Sequence, residues 1–344
     1  MSHTRPARLT PPEQVQGDFT FASEHSSLVA AADPCALVPI PPAEQGLATA
    51  TAEPYFQVSD ELVGLEGPAF DRQGNLLFVD VFGGRILKLT PQRQLSTLYC
   101  DPVLHPAGIA VHKDGRIFIA AVGPMDADSM FRRGSVIALD ADGRNPQTIV
   151  PPHLGYVVDD LAFDNLGGFY FTDFRGSSTE PAGGVFYVSP DFKTIQPVLP
   201  RMCGANGVAL SPDGKVLWAT EFCLSRLHRA DLAAPGVVGR FGSMVPYHFI
   251  GRAPDSMRTD SAGNVYVAMY HQARFLVFSP YGMPVAQILL PGREDNHFLK
   301  CTSLAIRPGS RELLMVARDE LGGRGSMIFA AQGLAEGHAL FSHQ

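Results

Sequence analysis

Features that mark several common classes of protein are missing from this sequence. Its five cysteines are scattered, without the paired short spacing of a zinc site or a disulfide framework: Cys35, Cys100, Cys203, Cys223 and Cys301. Charged residues make up 18% of the chain, and no run of lysine and arginine forms a positive footprint for a nucleic acid. We therefore expect no nucleic-acid partner and a reducing compartment.

Long apolar segments are missing as well. No stretch approaches the uninterrupted apolar run that a membrane span requires. The opening residues have neither the apolar core nor the small-residue cleavage pattern of a secretory signal. We therefore predict a cytoplasmic protein with no membrane partner. The hydrophobic content of 45% and the formal net charge of -7 are typical of a globular chain with a large core.

The composition changes near residue 50. The first fifty residues are rich in proline and alanine and show no sustained period of 2 or 3.6, which indicates an extended, partly irregular arm over residues 1–50. From residue 51 to residue 344, short β-branched and aromatic runs alternate with Gly, Asp and Pro, as in an all-β domain.

One strand pattern recurs six times in this second region. The strings "NLLFVD", "RIFIAA", "GFYFTDF", "KVLWATE", "NVYVAMY" and "ELLMVAR" each follow a turn residue, and these turn residues are 41 to 52 residues apart: Gly74, Gly115, Gly167, Gly214, Gly263 and Ser310. Each turn follows another strand, and further strands complete the period. This content predicts a six-bladed β-propeller. Because propellers close by pairing strands from both ends of the chain, we expect residues 51–58 to join the last blade beside "GHALFSH".

The repeat places a particular position at one mouth of the central channel in every blade. Eight residues before each turn residue, the sequence has Glu66, Ala107, Asp159, Asn206, Asp255 and Thr302. Three carboxylates at a narrow mouth repel one another unless a cation neutralises them, and a hard cation that prefers oxygen ligands, above all calcium, fits this set. Any one of these residues alone is more simply a turn former. The shared phase favours the metal site, whereas Asp71, Asp164 and Asp260 share a phase beside the turn glycines and are interpreted as hairpin residues.

Several longer strings carry a resemblance to a known family. "LEGPAFDRQGNLLFVDVFGGRI", "DDLAFDNLGGFYFTDFRGSST", "ANGVALSPDGKVLWATE" and "PDSMRTDSAGNVYVAMY" resemble the gluconolactonase and regucalcin family of six-bladed propellers, over nearly all of the chain from residue 51. The resemblance implies a calcium-dependent hydrolase that opens lactone rings, a type of carboxylic ester. It implies that Glu66, Asp159, Asn206 and Asp255 hold the calcium ion, the same four residues that the repeat selects.

The resemblance also assigns a catalytic role. It implies that Asp255 transfers the proton in lactone hydrolysis, with direct nucleophilic attack by Asp255 as the competing role. Relatives hold a second calcium, but Arg132, Pro151 and Leu154 stand here where such relatives have hydroxyl or acidic ligands. This weakens the prediction of a second ion, for which Gly134, Tyr156 and Ser256 remain the candidate donors. Arg132 or Arg133 supplies fixed charge there, or is a solvated loop residue.

Substrate contacts are predicted from the loops and strand ends near the same mouth. The candidates are Asp160, Arg175, Tyr247, His248, Tyr270, His271 and His297, and Phe174 with Tyr270 is expected to form an apolar wall. Two other functions stay open at this point: hydrolysis of phosphotriesters on a similar calcium cage, and a calcium-binding propeller without catalysis. The predicted partner is a small lactone. The sequence leaves the natural substrate and the oligomeric state undetermined.

Overall fold

The computed structural model describes residues 38–126 and 130–344. Most of the predicted arm, with Cys35, therefore lies outside the described residues. The remainder of the range 1–50 contains a 3-10 turn at Pro42–Glu44 and most of β1 (Ala48–Thr51), and β2 (Glu53–Ser59) follows. Residues 1–50 as an arm and 51–344 as the catalytic domain stay a prediction.

The described chain is all-β and forms the six-bladed propeller that the repeat predicted. The strands of blades one to three are β3 (Leu65–Phe70), β4 (Leu76–Asp80), β5 (Arg85–Leu89) and β6 (Leu95–Cys100); β7 (Pro106–Val111), β8 (Ile117–Ala121), β9 (Ser135–Leu139) and β10 (Gln147–Val150); and β11 (Val158–Phe163), β12 (Phe169–Asp173), β13 (Gly183–Val188) and β14 (Ile195–Met202). Each set is one antiparallel sheet in chain order.

The last three blades use the same order. Their strands are β15 (Ala205–Leu210), β16 (Val216–Glu221), β17 (Arg226–Ala234) and β18 (Val237–His248); β19 (Pro254–Thr259), β20 (Val265–Met269), β21 (Arg274–Phe278) and β22 (Pro284–Leu289); and β23 (Lys300–Ile306), β24 (Glu312–Arg318) and β25 (Ser326–Gln332). Three further 3-10 turns lie at Pro152–Leu154, Arg293–Asp295 and Phe341–His343. In the described residues no helix has the length and hydropathy needed to span a bilayer, and the cytoplasmic location stays a prediction.

The hairpins between the first two strands of the blades depend on the predicted turn residues. Gly74 has a φ of 79°, a left-handed conformation that glycine adopts without a steric cost. Asp71 accepts hydrogen bonds from the N–H groups of Gln73 and Asn75 through one carboxylate oxygen. Asp164 and Asp260 bind their own turns in the same way, so these three acids are hairpin residues, as predicted.

The innermost strands close a ring around the channel. β3, β7, β11, β15, β19 and β23 each contact the next, and β23 returns to β3. Apolar side chains fill the space between neighbouring blades, as Val79 and Ile119 do between blades one and two, and Phe118 and Phe169 between blades two and three. Burying β-branched and aromatic residues on both faces of each sheet is what stacks the blades.

Both strands near the N-terminus extend blades formed later in the chain. β2 pairs antiparallel with β25 and completes the last blade, as predicted, but its partner strand is "SMIFAAQ" and not "GHALFSH". β1, which was not predicted, pairs parallel with β22 and gives blade five a fifth strand. The segment before β1 is held by a buried ion pair, in which Nη1 of Arg274 lies 2.5 Å from Oε2 of Glu44.

The segment "GHALFSH" lies across the end of the channel opposite to the predicted mouth. It encloses, with the far ends of the innermost strands, a largely apolar cavity of about 90 Å³. Phe341 packs edge-on against His112, at 4.9 Å between ring centroids, and tilted against Phe163, at 5.5 Å. His338 is 3.2 Å from the Thr259 hydroxyl. The chain segment predicted to lie beside the N-terminal strand instead covers one end of the channel.

Candidate metal centre

A β-bulge interrupts the innermost strand of every blade at the position that the repeat selected. The register between the first two strands shifts at or around Glu66, Ala107, Asp159, Asn206, Asp255 and Thr302. A bulge leaves an extra residue out of the ladder and redirects its side chain. The six positions are therefore equivalent in structure as well as in sequence.

The bulges of neighbouring blades touch because a glycine follows three of these positions. A Cβ atom on Gly67 would lie 2.6 Å from the Ala107 carbonyl oxygen, and one on Gly108 would lie 2.8 Å from that of Asp159. On Gly207 it would lie 2.8 Å from the Asp255 carbonyl oxygen. No larger residue fits without a shift of backbone, so these glycines bring the candidate ligands of adjacent blades together.

Threonine hydroxyls fix the backbone of the same ring. Thr220 donates to the carbonyl oxygen of Asp255 in the next blade at 2.7 Å, and Thr172 makes the corresponding bond to Asn206. Thr302 donates to the carbonyl oxygen of Leu65 at 2.7 Å, which links blade six to blade one. Each bond crosses between blades, so the ring is held by its own hydrogen bonds and not only by packing.

The acids of this ring perturb one another strongly. Burial, followed by the neighbouring carboxylates of Glu66 and Asp159, raises the pKa of Asp255 well above its usual range. Burial and the carboxylate of Asp159 raise the pKa of Glu66 in the same way. Burial and the charge of Asp160 raise the pKa of Asp159 to about 8. Three acids whose pKa values are all raised by burial and by one another's charge mark a place where a cation would be strongly favoured.

The donor atoms fit a hard divalent cation. The side-chain oxygen Oδ1 of Asn206 is buried and has no hydrogen-bond partner among the described residues, an uncommon condition for an amide oxygen. With the carboxylates of Glu66, Asp159 and Asp255 it forms an all-oxygen set of the kind that calcium prefers.

Two of these carboxylates are turned toward their own bulges. Glu66 Oε2 accepts the N–H of Gly67 at 2.9 Å, and Asp255 Oδ1 accepts that of Ser256 at 3.0 Å. In this arrangement, no three acidic, histidine or cysteine side chains of the described residues converge on one point. Side-chain rotation is therefore part of any binding of a cation by this set.

Asp160 faces away from this set, although it follows Asp159 directly. Its carboxylate, 1% exposed, is 2.8 Å from Nη1 of Arg258 and accepts the N–H groups of Leu161 and Val208. Since all of these partners are protein groups, the structure places Asp160 in a buried ion pair. Its predicted contact with substrate stays a prediction, and the ion pair is the role that these contacts support.

No contact among the described residues brings all three candidates for a second ion, Gly134, Tyr156 and Ser256, together at one point. The N–H of Gly134 donates to the carbonyl oxygen of Tyr156 at 2.6 Å, which occupies one lone pair of that oxygen. Ser256 is buried beside Asp255 in the bulge of blade five. Arg132 is exposed and forms an ion pair with Asp126. The second calcium therefore stays a prediction.

Other candidates lie at the strand ends on the same face as the acidic ring. Arg175 is paired with the buried carboxylate of Asp173, which also accepts the N–H of Val157. His297 Nδ1 is 2.9 Å from Asp319 Oδ2. Both side chains are therefore positioned by fully buried acids, and their contact with substrate stays a prediction.

Aromatic rings follow this face from blade three to blade five. Phe174 contacts Phe222 at 5.5 Å between ring centroids, and Phe222 contacts Tyr270 at 5.9 Å. His271 packs against Tyr270 at 4.5 Å. Lys300 donates a hydrogen bond of 2.8 Å to the Tyr270 hydroxyl, so an ammonium group ends the row. The sequence pointed to Phe174 and Tyr270 but missed Phe222 and Lys300.

Tyr247 and His248 lie on β18, the outermost strand of blade four, and are not brought to the acidic ring. Tyr247 donates a hydrogen bond to Glu44 and packs against Phe249 and Phe278. His248 pairs with Arg226 at the exposed edge of the sheet. The strand that carries them ends on the predicted face, but at the outer rim. In an antiparallel blade the fourth strand runs toward the same face as the second, and it is the strand farthest from the propeller axis.

Substituting Tyr247 by phenylalanine therefore tests stability rather than substrate binding. We expect Tyr247→Phe to lower the free energy of unfolding by about 1.5–3 kcal/mol, since the hydroxyl donates to a buried carboxylate. KM and kcat are expected to stay unchanged. Denaturant unfolding and initial rates measure the two effects, with Tyr281→Phe, an exposed tyrosine, as the matched control. A raised KM with unchanged stability would restore the predicted substrate contact.

Comparison with known proteins identifies the family. The family model described as "SMP-30/Gluconolactonase/LRE-like region" matches residues 65–311. Lactonase drp35 of Staphylococcus saprophyticus is 47% identical over 307 residues, which are 88% of this chain and 93% of that protein. Lactonase drp35 of Staphylococcus aureus is 45% identical over 306 residues, again 88% of this chain and 93% of the relative.

Solved structures share the fold at much lower identity. Regucalcin from Agrobacterium tumefaciens, described as a calcium-binding protein, superimposes with a TM-score of 0.66 at 17% identity, over 85% of this chain and 98% of that one. A gluconolactonase from Xanthomonas campestris gives a TM-score of 0.63 at 19% identity, over 85% and 98% of the two chains. The predicted resemblance is confirmed: this chain belongs to the SMP-30/gluconolactonase/LRE-like family of six-bladed propellers.

Proposed function

We propose that this protein is a calcium-dependent lactonase whose single catalytic centre is the acidic ring at the channel mouth. Its relatives at 45–47% identity are named lactonases, and this chain is a lactone-hydrolysing enzyme of the same class. The observation that carries the calcium dependence is the buried, unpartnered Oδ1 of Asn206 beside three carboxylates with raised pKa values.

The ligands proposed for the ion are Glu66, Asp159, Asn206 and Asp255. Calcium, when bound, supplies positive charge that polarises a carbonyl group and stabilises developing oxyanion charge. The hydroxyl of Thr302, which donates to the Leu65 carbonyl oxygen, lies near the carboxyl of Glu66 at the junction of blades six and one. The ion pair of Asp160 and Arg258 supports the ring by joining the innermost strands of blades three and five.

Asp255 is the proposed proton-transfer residue. Its carboxylate lies in the bulge, beside the amide of Asn206, and its backbone carbonyl accepts a hydrogen bond from Thr220 of the preceding blade. Attack on a lactone carbonyl requires that the nucleophilic water lose a proton, and the ring-opened alkoxide must gain one. A carboxyl whose pKa is raised by burial and by neighbouring carboxylates is suited to exchange that proton.

The row of Phe174, Phe222 and Tyr270 is the proposed apolar wall of the substrate site. The rings offer stacking surface for a lactone fused to an aromatic or alkyl group, whereas a sugar lactone carries hydroxyl groups that the wall cannot satisfy. Lys300, at the end of the row, forms an ion pair of 3.0 Å with Glu320 and is the proposed partner of the carboxylate that ring opening produces.

Initial-rate hydrolysis of a lactone panel tests this function. An aromatic lactone, an alkyl lactone and a sugar lactone are compared with a phosphotriester in the protein as purified, after chelation, and after calcium is added back. We expect lactone turnover to fall at least about 100-fold on chelation and to return with calcium, since the carbonyl loses its electrostatic stabilisation. Full activity in the chelator would contradict the calcium dependence, and turnover of the phosphotriester alone would favour the alternative hydrolase.

A further inference from the structure

Two cysteines face each other beside the channel mouth in blade four. β15 begins at Ala205, which pairs with Glu221 at the end of β16. Backbone contact continues beyond both strands, because Phe222 N–H donates to the Gly204 carbonyl at 2.8 Å and Cys223 N–H to that of Cys203 at 3.2 Å. Cys203 and Cys223 are therefore joined by a backbone hydrogen bond just beyond the paired ends of β15 and β16, although they lie far apart in the sequence.

The side chains of this pair are also close together. Each thiol lies within hydrogen-bonding reach of the other, and a Cβ atom on the intervening Gly204 would be 3.0 Å from Cys223 Sγ. The backbone hydrogen bond from Cys223 to Cys203 holds the two residues close to each other, as a disulfide requires. Both cysteines are present here as free thiols.

The two thiols differ in their access to solvent. Cys203 is buried, and its Sγ lies 3.3 Å from Glu221 Oε1, whereas Cys223 is exposed. An exposed thiol beside a buried one is the arrangement of a dithiol in which one sulfur reacts with the oxidant and the other then displaces the small thiol.

We propose that Cys203 and Cys223 are an oxidative modification site, which a small-molecule disulfide converts into an intramolecular disulfide at the mouth of the channel. This inference rests on the pairing of the two strands and not on the proposed function. It sets the pair apart from Cys100, an exposed cysteine whose Sγ lies 3.8 Å from a backbone carbonyl oxygen, that of Gly83.

The exchange takes place in two balanced steps. The thiolate of Cys223 attacks one sulfur of the small disulfide, which forms a mixed disulfide and releases one small thiolate. Cys203 then attacks Sγ of Cys223, which forms the Cys203–Cys223 bond and releases the second small thiolate. The two cysteines lose two electrons, the reagent gains them, and the two thiol protons end on the released thiols. Burial raises the pKa of both cysteines, so we expect slower exchange than at an ordinary exposed thiol.

The bond would lie next to the candidate metal ligand and the aromatic row. Asn206 follows Cys203 by three residues, and a Cβ atom on Gly204 would be 3.4 Å from the ring of Phe174. A disulfide would covalently link Cys203, just before β15, to Cys223, which follows Phe222 of the aromatic row. The chemical state of this pair therefore bears directly on the face of the propeller where Asn206 lies.

Oxidised glutathione provides the test on the full-length protein. The reduced chain is incubated with excess reagent, quenched with an alkylating agent, and digested with trypsin without reduction. Cleavage after Arg201, Lys215 and Arg226 places the two cysteines on separate peptides. We expect a cross-linked pair of these peptides, and no glutathione on Cys223. Added dithiothreitol is expected to restore both thiols.

Single serine variants give the matched controls. Cys203→Ser is expected to keep glutathione on Cys223, since the displacing sulfur is gone, and Cys223→Ser is expected to form no adduct at Cys203. Cys100→Ser is expected to behave like the original chain at the pair. A glutathione adduct that persists on Cys223 of the original chain, or cross-links that join other cysteines instead, would overturn the proposal.

Discussion

Replacing Asp255 by asparagine is expected to lower kcat by about 10²–10⁴-fold while the propeller stays folded. The variant keeps an oxygen at the same place, so a cation can still be held, but the amide can neither accept nor return a proton. Steady-state rates with a lactone substrate measure the loss. Asp213→Asn, the same change at an exposed turn in the same protein, is the matched control and should retain full activity.

Calcium binding must be measured on the same variant. If Asp255→Asn loses activity only because it no longer binds the ion, saturating calcium will restore turnover. If Asp255 transfers the proton, activity stays low at saturation, as judged by the calcium dependence of the melting temperature. Substantial turnover in the calcium-saturated variant would remove the role assigned to Asp255.

The final position of a heavy-oxygen label from water distinguishes the two roles considered for Asp255, proton transfer and nucleophilic attack. A single turnover in water enriched in heavy oxygen places the label in the hydroxy-acid product if water attacks the lactone carbonyl directly. If the Asp255 carboxylate attacks instead, an anhydride forms, and its hydrolysis at the aspartyl carbon leaves the label in the enzyme. Mass spectrometry of the peptide that contains Asp255 distinguishes these results.

The second large effect is a loss of stability with rising pH when calcium is removed. A carboxyl with a raised pKa binds more protons in the folded than in the unfolded chain, so its contribution favours folding below about pH 4. That contribution is lost as the pH rises toward the folded-state pKa, which for Asp159 is about 8. We expect the chelated protein to lose several kcal/mol of stability between these limits, and its Tm to fall by on the order of 10 °C.

Bound calcium should remove this loss, because its charge stabilises the ionised carboxylates. The stabilisation by calcium is therefore expected to increase with pH, and calcium binding near pH 7 should release protons. Differential scanning calorimetry from pH 5 to pH 9, with chelator or with calcium, measures the first effect. Titration calorimetry in buffers of different ionisation enthalpy measures the second.

Glu66→Gln provides a matched variant for this prediction. It removes one of the repelling charges but keeps an oxygen in the ring, so the chelated variant should lose less stability with pH than the original chain. Its affinity for calcium should fall at the same time. A chelated protein whose stability is independent of pH in this window would show that the carboxyl groups do not interact as described.

The propeller and the location of its acidic ring were open to prediction because they depend on local patterns that repeat. The turn glycines, and the strand before each, recur with a fixed phase, and the structure shows why: each selected residue lies in a bulge of an innermost strand. The family resemblance selected the same four residues. A single aspartate near a turn is a weak indication of a site, but its recurrence at the same position in several blades predicts that these residues lie together.

Side-chain direction and long-range partners were not open to prediction in this way. Asp159 and Asp160 are adjacent in sequence, but only a partner 98 residues away, Arg258, shows that the second acid is used in an ion pair. Tyr247 looked like a mouth residue because its strand ends on that face, yet its distance from the axis depends on the fourth strand of the blade. Both outcomes depend on packing between distant parts of the chain.

The sequence patterns also failed to predict the roles of several small uncharged residues. Thr302 was given no role beyond its place in the repeat, but its hydroxyl bonds across the junction of blades six and one. Cys203 and Cys223 had no motif spacing, because the hairpin that brings them together has no cysteine signature of its own. A residue whose role depends on one hydrogen bond or one close contact produces no repeating pattern in the sequence.

The pairing of β2 with β25 has a consequence for how this protein is made. Gln57 and Arg324, which are joined by a hydrogen bond at that edge, are 267 residues apart. At about 5–20 residues per second, a ribosome needs on the order of tens of seconds to produce the intervening chain. During that time the N-terminal strand has no partner, and it remains available to other nascent chains. Final ring closure is therefore an event that follows synthesis of the sixth blade, and molecular chaperones have their greatest opportunity to act before it.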